Sequence, residues 1–198
     1  MTEDFYDEIL NVNTCGDQNG FNKIYHYHRY EPTPYSALET LFETYKLKSS
    51  DYCVDFGCGK GRLNFYINHL FKSTVTGVEM NKLFYQDALE NLDSFNKHSK
   101  DRIHFHCCLA EEYEIQPLDN RFYFFNPFSD QIFITVVNNI LRSYEENHRE
   151  IDLILYYPSE DYIFFLENNT VFELISEVRL PGLYETNNQE RFQIYRIS

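Results

Sequence analysis

The sequence predicts an α/β fold: one mostly parallel sheet of seven strands that closes with a C-terminal antiparallel hairpin. Three observations predict it. A strand, a glycine turn and a helix follow one another over residues 52–71. Apolar β-rich runs then alternate with stretches of helical period, the pattern of a parallel sheet with crossover helices. Last, the β-rich runs 171–180 and 191–197 are joined only by the polar segment PGLYETNNQE, so they read as a hairpin.

Composition fits one folded domain. The chain has 198 residues, 43% hydrophobic and 18% aromatic, with 17 Tyr, 18 Phe and no Trp. A disordered chain does not carry so many rings, and this length suffices for a sizeable core. No apolar run is long enough to cross a membrane, and the acidic start MTEDFYDEIL lacks the order of a signal peptide. The five Cys (15, 53, 58, 107, 108) form no C-x-x-C pair and read as reduced thiols of a cytoplasmic protein. The net charge of −14 and the absence of a long Lys/Arg run argue against bulk nucleic-acid binding, which depends on clustered cations.

In chain order, residues 1–20 read as irregular or weakly helical. Residues 21–35, FNKIYHYHRYEPTPY, hold four Tyr and two prolines, and the prolines favour an extended path. Thr33 with Pro34 then suits the start of a helix over 35–46, with Thr33 as N-cap. His26 and His28, like His104 and His106, alternate as on a strand, but no carboxylate or Cys cluster accompanies them, and no metal site is read.

The first strand climbs to Asp55, and Gly57, Gly59 and Gly61 follow at every second place. Glycines permit positive φ and let a ligand lie against bare main chain. A plain tight turn needs one glycine; three behind an acid point to a ligand. The helix 62–71 then offers free N–H groups at its start. The second strand, 73–80, ends in Glu79 and Met80, about 20 residues past the glycines, where an acid binds ribose hydroxyls in dinucleotide-type sites. A helix over 82–95, a third strand over 102–108, a fourth over 121–128, a helix over 130–145, a fifth strand over 151–158 and a short aromatic helix near 161–168 complete the sequence before the hairpin.

The spacing D-x-G-x-G-x-G over residues 55–61 resembles motif I of the class I S-adenosylmethionine (SAM) methyltransferases, and the resemblance extends over residues 35–198. It implies a doubly wound sheet, a methyltransferase activity, SAM as cofactor, and a cofactor site made of Asp55, Gly57, Cys58, Gly59, Gly61, Glu79 and Met80. Family proteins place an acid after the third strand against the adenine amino group. Here that place holds Leu109, Ala110 and Glu111, with either the Glu111 side chain or the backbone N–H groups as the contact. Residues 1–34 stand ahead of the domain as an extension and candidate lid, mobile over 11–35 until ligand binds. Tyr30, Thr33 and Tyr35 either cover SAM or pack on the sheet edge.

In the implied topology the fourth strand borders the first, so Asn126, Pro127 and Phe128 share the crevice. N-P-F resembles a shortened [D/N/S]-P-P-[Y/F/W] motif of amino-directed methyltransferases. That resemblance assigns Asn126 to the amine and the adjoining SAM, and Phe128 to the cationic group. Otherwise the stretch is an Asn-Pro turn ending a buried strand. Tyr156 and Tyr157 end the next strand and either line the same mouth or pack in the core. The expected acceptor is an amine on a protein or small molecule. The alternatives are a nucleic-acid N-methyltransferase, a non-catalytic SAM-binding partner protein, and an NAD-dependent oxidoreductase, against which the glycine spacing and terminal hairpin speak.

Overall fold

A computed structural model of the chain describes residues 3–15, 31–95 and 99–198. Seven strands form one sheet in the order β3-β2-β1-β4-β5-β7-β6. They are β1 (Tyr52–Phe56), β2 (Thr74–Val78), β3 (Ile103–His106), β4 (Arg121–Phe124), β5 (Ile151–Tyr156), β6 (Glu173–Arg179) and β7 (Arg191–Ile197). The first five are parallel; β7 runs antiparallel between β5 and β6. The predicted α/β fold and its terminal hairpin are thus observed. Six helices flank the sheet: α1 (Glu3–Leu10), α2 (Tyr35–Thr44), α3 (Arg62–Phe71), α4 (Lys82–Ser94), α5 (Asp130–Glu146) and α6 (Glu160–Asn169).

Both faces of the central strands are apolar, as in a sheet covered on each side. Along β5, Ile154 and Tyr156 face the layer of α1, α2 and α3, while Leu153 and Leu155 face α5 and α6. The two cores are separate clusters divided by the sheet. At the N-terminal ends of the strands, Arg121 lies between Asp51, Glu150 and the wholly buried Asp152, which also takes two hydrogen bonds from Arg196 at 2.7 and 2.8 Å. These charges compensate one another far from the opposite, C-terminal edge, where ligands lodge in such sheets.

Three expectations change. Residues 3–10 form a regular helix, because α1 docks on the body rather than standing alone. Its Glu3 Oε1 accepts the Tyr35 N–H at 3.1 Å, so an acid from another helix caps α2. Thr33 therefore does not cap; Pro34 holds the cap position with no side-chain bond. Finally, β4 ends at Phe124, not at residue 128, because Asn126 turns into the left-handed region at φ 38°.

Candidate active site

The strand order reverses between β1 and β4, which makes a crevice at their C-terminal ends. The glycine turn stands there. Gly57, Gly59 and Gly61 have φ of 81°, 54° and 86°, values that side chains with a Cβ rarely adopt. The turn is tied to β2 by N–H groups of Gly57 and Cys58 donating to Val78 O at 2.8 and 3.2 Å. Gly61 admits no side chain: a Cβ would stand 2.7 Å from the Phe105 ring. The Cys58 thiol points inward against Gly77, and burial pushes its pKa well up.

Two acids flank this turn, Asp55 within β1 and Glu79 just past β2. Glu79 is 8% exposed and accepts N–H groups from Gly59 at 2.9 Å and Asn81 at 2.7 Å. Burial raises its pKa, opposed by those backbone bonds. Asp55 is 5% exposed, and burial, then the Glu79 charge, pushes it up to about 8. Asn64 on α3 is wholly buried beneath it. With its amide turned so that both ends are matched, it donates to Asp55 Oδ2 at 3.1 Å and accepts from Gly77 N–H at 3.0 Å. The neighbouring cations face elsewhere. Lys60 reaches Cys15 O and Asp87, while Arg62 reaches Glu3, Thr14, Thr33 O and Cys15.

The N-P-F turn meets the glycine turn directly. A Cβ on Gly57 would stand 2.9 Å from Pro127 Cβ, so only a glycine lets the two turns close on each other. Asn126 and Pro127 are half-buried beside this contact. Phe128 departs from expectation. The left-handed turn at Asn126 sends its ring, 1% exposed, into the core beneath α5 and α6, edge-on to Phe124, and Tyr162 donates to its carbonyl. It does not face the crevice.

Of the N-terminal candidates, Thr33 comes to the site: its hydroxyl lies 2.7 Å from that of Tyr123, the β4 partner of Asp55. Tyr35 does not. Its ring lies under the Arg62 guanidinium at 4.6 Å and its hydroxyl donates to Asp7. Tyr30, His26 and His28 lie outside the described residues. At the start of the candidate lid, Asn11 Nδ2 donates to Ser94 O at 2.6 Å, Asn13 pairs twice with Asn91, and Thr14 N–H donates to Asp7. Residues 16–30 lie outside the described residues.

Leu109, Ala110 and Glu111 follow the end of β3, with Met80 half-buried past the end of the neighbouring β2. Ala110 is buried in the core beneath α5 and α6, and Glu111 O accepts Asn139 Nδ2 at 3.2 Å. Sequence reasoning missed Asn64. A signal existed: Asn64 and Asn68 stand four apart in a largely apolar helix, and the structure buries both fully. Among the described residues no group of three or more His, Cys, Asp or Glu is placed to hold a metal, and no helix is long and apolar enough to cross a membrane.

No protein-family model matches the chain, and no curated protein matches it in sequence. Solved structures do resemble it. An RNA methyltransferase from Salinibacter ruber, solved with S-adenosyl-L-homocysteine, superposes with a TM-score of 0.56 at 17% identity over 84% of this chain and 92% of its own. The StiE O-MT gives 0.59 at 12% identity, over 82% and 72%. The tRNA (uracil-54, C5)-methyltransferase of Pyrococcus abyssi, also with S-adenosyl-L-homocysteine, gives 0.57 at 14% over 85% of this chain and 40% of its own. At these identities the likeness is one of architecture: the chain has the seven-stranded fold that these methyltransferases share.

Proposed function

We propose that the protein is a SAM-dependent methyltransferase acting on an amine of a small molecule or a protein. One observation carries this reading. Two buried carboxylates, Asp55 and Glu79, flank the glycine turn, and none of the described cations pairs with either. Such a site suits a cationic ligand, since a bound cation would favour the ionised forms that burial disfavours. A dinucleotide pyrophosphate would add negative charge to it. SAM carries an ammonium and a sulfonium, and supplies an electrophilic methyl group when bound.

In this reading Glu79 holds the ribose hydroxyls and Asp55 meets the cationic end. Gly57, Gly59 and Gly61 keep the floor open, with Cys58, Met80 and Thr33 beside it. Leu109, Ala110 and Glu111 are the adenine-side candidates. Asn126 accepts an amine hydrogen and aims the nitrogen lone pair, while Pro127 fixes the turn against Gly57. Transfer to a positioned amine needs little more than alignment and exclusion of water. The five free cysteines fit a reducing compartment, the cytoplasm.

A second reading, a nucleic-acid N-methyltransferase, draws on two neighbours named for RNA or tRNA for the acceptor class alone, one of them a C5-methyltransferase. The charge of −14 speaks against it. Calorimetric titration tests the cofactor. SAM and S-adenosylhomocysteine should bind and NAD should not, and binding of NAD alone would overturn the proposal. Transfer from labelled SAM into protein, small-molecule and RNA fractions of a cell extract then separates the acceptors. Label confined to RNA would favour the second reading, and no label anywhere would favour a non-catalytic binding protein.

A further inference from the structure

Two residues with strained backbone follow the C-terminal ends of the neighbouring strands β4 and β5. β4 and β5 pair in parallel up to Phe124 opposite Leu155. Just past that pair the rings of Phe125 and Tyr156 lie 4.6 Å apart, and Asn126 and Tyr157 are the next residues of their two segments. Both of these last residues have left-handed backbone, at φ 38° and 53°. Asn tolerates that region, whereas for a bulky aromatic residue it is rare and persists only where the surroundings impose it.

The surroundings do impose it on Tyr157. Its N–H donates to Arg191 O at 3.1 Å. Its hydroxyl oxygen accepts Asn187 Nδ2 at 2.6 Å. The amide of Asn187 is itself oriented, because its Oδ1 accepts the Gln189 N–H at 3.1 Å. The phenol oxygen is therefore supplied with a donor, and among the described residues its own proton meets no acceptor. The residue is half-buried at the mouth that Asn126 borders.

Resting on the methyltransferase reading, we infer that Tyr157 binds the methyl acceptor, its hydroxyl donating to an atom beside the amine, with Asn187 as its positioning residue. A donated proton cannot point at the attacking nitrogen, since it would occupy the lone pair that takes the methyl group. The acceptor therefore carries a hydrogen-bond-accepting carbonyl oxygen or ring nitrogen adjacent to its amine. A plain alkyl or aryl amine lacks that atom.

Matched probes test this. Binding of 2-aminopyridine against aniline, and of benzamide against benzylamine, is measured by saturation-transfer NMR on the full chain. Wild type, Tyr157→Phe and Asn187→Ala are compared, with and without S-adenosylhomocysteine. Wild type should prefer the first member of each pair by about tenfold, the scale of one net hydrogen bond. Tyr157→Phe should lose the preference while keeping its near-ultraviolet spectrum, and Asn187→Ala should weaken it. No preference in wild type, or a preference that survives in Tyr157→Phe, overturns the role of Tyr157. Failure of wild type to bind S-adenosylhomocysteine overturns the methyltransferase reading instead, and the probe comparison registers separately.

Discussion

The backbone N–H of Gly59 donates to Glu79 Oε2 at 2.9 Å, and this bond adds a side-chain tie to the two backbone bonds that join the glycine turn to the tip of the adjacent strand. The other carboxylate oxygen accepts the Asn81 N–H at 2.7 Å, so Glu79 is fixed before any ligand arrives. Glu79→Ala should loosen the turn at Gly59 and remove the ribose acceptor. The expected loss of SAM affinity is roughly 1–3 kcal/mol, the range for a broken charged hydrogen bond. Glu79→Gln should fall between, since its amide offers one oxygen where the carboxylate offered two. Calorimetry decides the matter: equal affinity in wild type and Glu79→Ala would remove this acid from the ligand site.

Asp55 makes stability depend on pH in an unusual direction. Burial, then the Glu79 charge, pushes its carboxyl up to about 8, against about 3.9 in an unfolded chain. Between those values the folded state binds more protons than the unfolded state. Stability attributable to this group therefore falls as pH rises through that window and levels off above it. Asp55→Asn cannot ionise, so its melting temperature should gain on wild type between about pH 5 and pH 9, the range containing the titration. Its affinity for SAM should fall, because the anion that meets the cation is gone. A constant difference in melting temperature across that range would show that Asp55 is already charged in the unliganded protein.

Two glycines separate backbone strain from contact. Gly57 and Gly182 share a φ of 81°, but a Cβ at Gly182 meets nothing within 4 Å, whereas at Gly57 it stands 2.9 Å from Pro127 Cβ. Gly182→Ala should cost about 1–2 kcal/mol, the strain of a left-handed non-glycine residue. Gly57→Ala should cost about 1 kcal/mol or more beyond that, because it also pushes Pro127 aside. Denaturant unfolding of both variants supplies the comparison. Equal losses would show that the N-P-F turn yields without resistance and is not braced by Gly57.

These sites differ in how they are written in the sequence. The sheet and the glycine turn are legible because their causes are local: alternation of element types, and three glycines behind Asp55. Glu79 is legible because parallel pairing of β1 with β2 fixes its distance from the turn. The role of Tyr35 is not, since its place under Arg62 depends on Glu3, Asp7 and Thr14 converging from distant segments. Phe128 misleads for a different reason. The run RFYFFNPF is aromatic enough to read as one continuous strand, and only the left-handed turn at Asn126 shows where pairing stops. Asn64 hides within an apolar helix, and its purpose appears only when Asp55 and Gly77 come together over it.

Asn126 can be tested without breaking its turn. Its φ of 38° is one that alanine takes with strain, so Asn126→Ala would confound lost chemistry with lost geometry. Asn126→Gly keeps the left-handed backbone and the contact between Pro127 and Gly57, and removes only the amide. If the amide oxygen accepts an amine hydrogen, SAM affinity should stay within a few-fold while methyl transfer falls by about 10²-fold, the scale of a lost orienting group. Asn126→Asp should keep part of the activity with an altered pH profile, because a carboxylate also stabilises the unreactive ammonium form. The assay uses labelled SAM with whichever extract fraction accepts the methyl group. Normal turnover by a folded Asn126→Gly protein would reduce the N-P-F stretch to a turn and leave orientation of the acceptor to Tyr157 alone.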